Sequence, residues 1–202
     1  MRRAVATGVF SLCMCATLAV CTLYVTKGLA QGRSPSESRA ATDDASPIYG
    51  VTVPPGYRDW RVISVAQVGP PLNDLRVKLG NDIAVKAYRD GARTFPDGAI
   101  IARLAYNQVA SEENNRIFRA AAEQRGLPAD QIEKLLAASS VAGPAVNVQF
   151  MVKDSSKYAS TGGWGFGEFT NGKPSGEAVH QTCFACHEPG KAHDFVFTRY
   201  SP

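Results

Sequence analysis

The sequence predicts an α+β domain built on an antiparallel β-sheet, with helices inserted between two of its strands. Strand-like patterns stand at residues 60–68, 99–106 and 143–154. Two stretches with helical spacing lie together between the second and third of these strands. Because strands dominate and the helices form one block, we expect neighbouring strands to pair antiparallel rather than through helical crossovers.

The N-terminal residues 1–30 have the features of a secretory signal peptide. A pair of arginines follows the first methionine, residues 4–26 carry no charge, and the small residues Gly28 and Ala30 suit a cleavage site. The alternative is an uncleaved membrane anchor, since a bilayer-spanning helix needs ~20 apolar residues. A lipoprotein signal fits less well because of Val20. All three interpretations export the domain.

Net charge and composition argue against nucleic-acid binding and indicate one domain after a linker. Cleavage after Ala30 would remove three of the basic residues behind the formal net charge of +4. The remaining surface is nearly neutral, which gives no support for nucleic-acid binding. Residues 31–47 are polar and rich in Ser, Ala and Pro, and are predicted to form a flexible linker. Residues 48–202 then have the size of one domain with one core.

The first half of this domain contains clear turn and strand signals. Pro54, Pro55 and Gly56 mark a turn before the strand at 60–68. Residues 75–89 are ambiguous and predict a strand and a short helix that ends before Gly91. The turn signal FPDG at 95–98 precedes the strand at 99–106.

The helical block comes next. Ser111 is placed to cap a helix that ends at Gly126, and Pro128 suits the first turn of a second helix. Helical spacing puts apolar residues on one face of each helix, namely Ile117, Phe118, Ala121 and Ala122 in the first and Ile132, Leu135 and Leu136 in the second.

The predicted strand at 143–154 and a glycine-rich stretch follow. Along 143–154, Val146, Val148, Phe150 and Val152 alternate with Asn147, Gln149 and Met151, so Phe150 is predicted to lie in the core. The stretch GGWGFGEF at 162–169 alternates glycines with bulky residues. Its glycine side could admit a flat group close to the backbone.

The motif CFACH at residues 183–187 carries the chemistry. It fits C-x-x-C-H, in which each thiol adds to one vinyl group of a c-type haem and the histidine binds the iron. With the signal removed, Cys183 and Cys186 are the only cysteines. We therefore predict one covalently attached haem c per chain, with His187 as proximal ligand.

Other uses of the two cysteines are less well supported. A disulfide or a thioredoxin-like redox pair does not require the adjacent histidine, and no βαβ pattern surrounds the motif. A zinc site needs four protein ligands, and the usual second C-x-x-C pair is absent. For the sixth position of the iron the mature sequence offers Met151, His180 and His193, with both histidines expected to be exposed.

Six segments together resemble the cytochrome P460 family, which includes the β-type cytochromes c′. They are GYRDW, FPDGAIIARL, VKDSSKYA, GGWGF, CFACH and DFVFTRYSP. They run in family order over about residues 50–202, with 108–142 as an insertion. The resemblance implies a β-rich haem protein, usually a homodimer, whose five-coordinate iron binds nitric oxide or oxidises hydroxylamine.

The resemblance also implies two departures from the hydroxylamine-oxidising enzymes. Arg103 stands where those enzymes carry a lysine that cross-links to the haem, and a guanidinium is a much poorer nucleophile than an amine. Gln149 stands where they place a carboxylate above the iron, and an amide cannot accept a proton comparably. A one-residue slip along a strand would change which side chains face the iron, and Lys153 or Lys86 could then reach the ring.

Ordinary structural roles are also open for the candidate site residues. Arg103 could be solvated or paired with a haem propionate, and Gln149 could line a polar pocket or a wet sheet face. Glu168 could replace the missing acid, although a surface carboxylate is the simpler interpretation. Arg199 is a candidate for binding a propionate through a bidentate contact.

The resulting hypothesis is an exported, periplasmic mono-haem cytochrome with an open distal side. Its ligand would be NO or a related small nitrogen species, and its other partners a soluble redox protein and a second copy of the chain. The alternatives are an electron-transfer cytochrome c with a protein sixth ligand and a true hydroxylamine oxidase. If the protein is an enzyme, it is an oxidoreductase acting on hydroxylamine or NO.

Overall fold

The computed structural model describes residues 44–201, so the predicted signal peptide and most of the predicted linker lie outside the described residues. Buried contacts begin at Ser46, whose Oγ donates a hydrogen bond to the Phe166 carbonyl oxygen at 3.0 Å. The last residues of the 31–47 segment therefore pack on the domain. None of the helices within 44–201 is long and apolar enough to cross a membrane.

Within residues 44–201, six strands form one sheet in the order of the sequence, and each strand pairs antiparallel with the next. Their bounds are β1 Arg61–Val68, β2 Asp74–Gly80, β3 Ile100–Val109, β4 Val141–Lys153, β5 Trp164–Thr170 and β6 Lys173–Pro174. The α+β class with an antiparallel sheet is thus confirmed. The ambiguous stretch 75–89 contains both a strand and a helix.

Four α-helices complete the domain within the described residues. They are α1 Asp82–Arg89, α2 Glu112–Gln124, α3 Ala129–Ala138 and α4 Glu177–His187, and a 3₁₀ segment Glu188–His193 follows α4. The Ser111 side chain caps α2 by accepting from the Asn114 N–H at 3.2 Å. Pro128 occupies the N-cap position of α3, one residue before the first turn in which it was predicted.

Helices α2 and α3 form a hairpin inserted between β3 and β4. It has a small apolar cluster of its own, made of Ala122, Ile132 and Leu136. The apolar face predicted for α2 is buried only in part, because Ile117 remains 59% exposed and Phe118 44% exposed. Of the predicted apolar face of α2, only Ala122 belongs to the buried cluster of the hairpin.

The two faces of the sheet differ in character. Phe150 lies on the apolar face and is 1% exposed, so the sequence placed it correctly in the core. Its ring packs edge-to-face on Tyr57 and on Phe169, with centroid distances of 5.1 and 5.8 Å. The opposite face carries polar side chains, and α4 and the C-terminal segment 195–201 pack toward it.

The glycine side of β5 does admit a flat group, and that group is the ring of Tyr158. A Cβ atom added at Gly165 would lie 2.2 Å from Cζ of Tyr158. The tyrosine cannot easily move away, because its hydroxyl donates to the Tyr49 carbonyl oxygen at 3.0 Å. The absent side chain of Gly165 is therefore a packing requirement of the core.

We expect Gly165→Ala to lower the free energy of unfolding by at least ~1–3 kcal/mol, the usual range for overpacking a core. Urea unfolding of the purified protein measures it. Gly69→Ala is the matched control, because a Cβ at Gly69 meets nothing within 4 Å. Equal stability of the two variants would show that Tyr158 does not occupy this space.

Candidate functional site

Helix α4 presents the three residues of the C-x-x-C-H motif at one end. Cys183 and Cys186 are one helical turn apart, and His187 is the last residue of the helix. Cys183 is half-buried and Cys186 is exposed, and both are free thiols. Burial, followed by the charge of Glu168, raises the pKa of the Cys183 thiol to about 11.

The start of α4 is fixed to the sheet by His180. This residue is 0% exposed, which contradicts the exposure expected from the sequence. Its Nδ1–H donates to the Gly176 carbonyl oxygen at 3.0 Å, and its Nε2 accepts the Glu168 N–H at 3.0 Å. Both ring nitrogens are engaged, so His180 is a structural residue and not available as a sixth iron ligand.

The proximal candidate His187 is oriented by its neighbours. Its Nδ1–H donates to the Phe195 carbonyl oxygen at 2.7 Å. Its ring lies between those of Phe166 and Phe197, at centroid distances of 5.1 and 5.0 Å. Burial lowers the pKa of His187, and the nearby charge of Arg103 acts in the same direction while the hydrogen bond to Phe195 opposes it. The bond at Nδ1 leaves the Nε2 lone pair for a metal, as in other haem and zinc sites.

Next to His187 lies a cavity of about 680 Å³, within the size range of cofactor pockets. Its walls are the polar face of the sheet and the C-terminal segment. The lining side chains include Arg76, Lys78, Arg103, Gln149, Met151, Cys186, His187 and Arg199. A smaller recess of about 180 Å³ continues from it past Cys183 and Glu168.

Three predicted distal residues lie side by side across the sheet. Arg103 on β3 is paired with Gln149 on β4, and Gln149 is paired with Glu168 on β5. The alternation inferred for β4 is therefore the one in the structure, without the one-residue slip. Gln149 Nε2 donates to the Glu168 carboxylate, which also accepts from Ser175 Oγ at 3.0 Å.

Glu168 is half-buried and lines the recess beside Cys183, Cys186 and His187. The simpler interpretation of Glu168 as a surface carboxylate is wrong. Its position follows from the register of β5, in which Phe166 and Glu168 share the face that looks toward α4. The site consequently contains a carboxylate, one strand away from the position at which Gln149 stands.

The guanidinium of Arg103 has hydrogen-bond partners for only some of its donors among the described residues. Its Nη2 donates to Asn147 Oδ1 at 2.9 Å, whereas its Nε is buried and has no hydrogen-bond partner among the described residues. Burial lowers the pKa of this guanidinium, and the charge of Arg76 lowers it further. A buried donor without a partner is costly, and a cofactor that carries an acceptor group would satisfy it at this place in the cavity.

The lysines considered as alternatives for the cross-link do not face the cavity. Lys153 is buried in an ion pair with Asp194, and Lys86 lies on the exposed side of α1. The sequence missed Lys78, which does line the cavity and stands directly opposite Arg103 on β2. Arg76 and Lys78 are two residues apart, and residues at that spacing in a strand lie on the same face of the sheet. This spacing could have indicated Lys78 from the sequence.

The remaining predicted ligand residues lie in two different cavities. Met151 and Arg199 both line the cavity. His193 is exposed at the end of the 3₁₀ segment and lines a separate recess beside Tyr88 and Arg93, away from His187.

The sequence profile of the cytochrome P460 family matches residues 54–198, which is most of the chain. The chain belongs to the cytochrome P460 family. No curated protein sequence matches it at a significant level. Cytochrome P460 membership supports a haem c cytochrome, and the residues of this chain fit that group. A c-type haem requires two thiols one turn apart and an imidazole whose Nε2 is available, and the chain has both beside a cavity. The buried Nε of Arg103, which has no partner among the described residues, is compatible with an acceptor group in that cavity.

Proposed function

We propose that this protein is an exported mono-haem cytochrome whose iron has an open distal side that binds NO or a related small nitrogen species, with slow redox chemistry. The haem is attached through Cys183 and Cys186, and His187 is the proximal ligand. The observation that carries the proposal is the arrangement around His187. Its Nδ1 is occupied by Phe195, and the cavity beside it is walled by donors and acceptors instead of a second histidine ligand.

The haem supplies an iron able to bind a small diatomic or N-oxide ligand. The chain supplies its surroundings. Phe195 holds the imidazole of His187 in one tautomer, and Phe166 and Phe197 restrict the rotation of the ring. On the sheet side, Glu168 orients the amide of Gln149, and Arg103 contributes a fixed positive charge.

Ferrous holoprotein should be high-spin and should change its optical spectrum when CO or NO is added, because no strong protein ligand fills the sixth position. The variant Met151→Ala should keep the same high-spin spectrum, and its CO affinity should stay within about twofold of the wild-type value. Optical titration of the two proteins measures this. A sharp low-spin spectrum that disappears in Met151→Ala would contradict the open distal side.

That contrary outcome would favour the second candidate function, a periplasmic electron-transfer cytochrome. One observation supports it, because Met151 lines the same cavity as His187. A thioether is a common sixth ligand in electron-transfer cytochromes c.

Hydroxylamine oxidation is the third candidate. Arg103 and Gln149 lie at the cavity and replace, by resemblance, the cross-linking lysine and the carboxylate of the oxidising enzymes. Glu168 does bring a carboxylate nearby, but Gln149 and Ser175 already hold it. We therefore expect hydroxylamine turnover to be slow or absent.

The proposal also includes the compartment and the partners. Members of the cytochrome P460 family are typically exported, in agreement with the signal features of residues 1–30, and we place the protein in the periplasm, either free or anchored by that segment. A soluble redox protein and a second copy of the chain are the protein partners that the family resemblance implies. Light scattering of the holoprotein measures its oligomeric state.

A further inference from the structure

Three basic side chains converge on the cavity from neighbouring strands. Arg76 and Lys78 lie two residues apart on β2 and therefore share a face of the sheet. Lys78 is directly opposite Arg103 on β3. All three line the cavity beside His187.

Among the residues that the structure describes, only one of these cations is neutralised by an ion pair. Arg76 makes a bidentate ion pair with Asp74, with Nε–Oδ1 at 2.9 Å and Nη2–Oδ2 at 3.0 Å. Neither Lys78 nor Arg103 forms an ion pair with any residue in the range 44–201. Arg103 contacts the neutral amide of Asn147 and keeps its buried Nε without a partner.

The two unpaired cations are also partly desolvated. Burial lowers the pKa of Lys78, and the charges of Arg76 and Arg103 lower it further. Two half-buried positive charges placed opposite each other repel, and the charges of Asp74 and Glu168 offset this effect on the pKa values only in part. An anion between them would relieve the repulsion and satisfy the unpartnered donor.

We propose that Lys78 and Arg103 form a binding site for a small oxyanion or carboxylate within the haem cavity. In either case the bound group is a small anion with charged oxygen atoms. It is either a free anion such as nitrite or a propionate of the haem itself. This inference rests on the proposed function, because it takes the cavity to hold the haem.

Nitrite titration of the ferric holoprotein, followed by the shift of its main optical band at constant ionic strength, tests the site. We expect Lys78→Met to weaken nitrite binding about tenfold or more, because it removes one of two partly buried charges that face the anion. The exposed Lys86→Met on α1 is the matched control and should bind nitrite like the wild type. Lys78→Arg, which keeps the charge, should retain most of the affinity.

Carbon monoxide binding to the ferrous forms separates charge recognition from general damage. CO is neutral, so Lys78→Met should change CO affinity far less than nitrite affinity, and the exposed Lys86→Met should leave CO affinity unchanged. If nitrite affinity is also unchanged in Lys78→Met, the pH dependence of the reduction potential identifies the other source. A change in that dependence in Lys78→Met and not in Lys86→Met would assign the site to a haem propionate.

The proposal is overturned if Lys78→Met alters neither nitrite affinity nor the pH dependence of the potential. Failure of the proposed function gives a different result. In that case the wild-type ferrous protein does not bind CO at all, and the potential measurements alone decide whether Lys78 and Arg103 hold a carboxylate.

Discussion

Serine at both Cys183 and Cys186 should abolish covalent haem attachment completely. Each thiol is expected to form one thioether bond to a haem vinyl group, and a serine hydroxyl is far less nucleophilic than a thiolate. The wild type, produced with a haem-maturation system, should keep its peroxidase stain on a denaturing gel, and the double variant should lose it. Thr182→Ser, an exposed change beside Cys183, is the control.

Intact mass of the wild type extends this test to Arg103. We expect the mass of the processed chain plus one haem, with two thioether bonds and no further link. Haem that extracts from the wild type into acidified organic solvent would refute covalent attachment. A third protein–haem bond, or the red-shifted absorption of the cross-linked enzymes, would instead favour the hydroxylamine oxidase.

Lys153→Met should lower the free energy of unfolding by ~3–5 kcal/mol, the usual cost of removing one partner from a buried ion pair. Lys153 Nζ donates to both carboxylate oxygens of Asp194, at 2.8 and 3.0 Å, and to the Gly162 carbonyl oxygen at 3.0 Å. It also lies 5.0 Å from the centroid of the Trp164 ring. Methionine fills a similar volume but leaves the buried Asp194 charge without its counter-charge, with only the Phe95 N–H still donating to it.

Urea unfolding of the holoprotein measures this change against Lys134→Met, which breaks only the exposed pair of Lys134 with Asp130 on α3. The free energy of unfolding of that control should fall by no more than ~0.5 kcal/mol. The double variant Lys153→Met/Asp194→Asn should recover part of the loss, because an amide oxygen can still accept the Phe95 N–H that bonds to Asp194. A Lys153→Met variant as stable as the control would show that the pair contributes little.

The ion pair also matters for the haem site, because Asp194 directly precedes the residue that holds His187. The Asp194 carbonyl oxygen accepts from Trp164 Nε1 at 2.8 Å, and the Phe195 carbonyl oxygen accepts from His187 Nδ1. We therefore expect Lys153 to act as a positioning residue for His187, the proposed proximal ligand. Lys153→Met should shift the reduction potential of the haem in addition to lowering stability.

Local patterns in the sequence predicted the antiparallel class of the sheet, the strands at 60–68, 99–106 and 143–154, and part of the site. The alternation along 143–154 placed Phe150 in the core and Gln149 on the opposite face, because a strand directs successive side chains to opposite sides. Arg103 was identified from the family resemblance, and the structure pairs it with Gln149. The capping role of Ser111 was also predictable, since it depends on neighbouring residues alone.

Other features depend on contacts between residues far apart in the chain and could not be predicted. His180 is buried because it bridges Gly176 and Glu168, and the spacing from Cys183 does not reveal that bridge. Lys78 faces the cavity because β2 pairs with β3 in one register, which the weak alternation of residues 75–89 did not specify. Glu168 required the register of β5 for the same reason.

The hairpin of α2 and α3 implies that folding free energy is unevenly distributed over the domain. Its cluster of Ala122, Ile132 and Leu136 is separate from the main core, and no residue of the hairpin lines the cavity beside His187. Local opening of such a unit costs less than global unfolding and exposes few buried apolar side chains. Amide hydrogen exchange in α2 and α3 should therefore be faster than in β3 and β4, and insensitive to whether haem is bound. The insertion could then change in sequence or length during evolution without altering the chemistry of the iron.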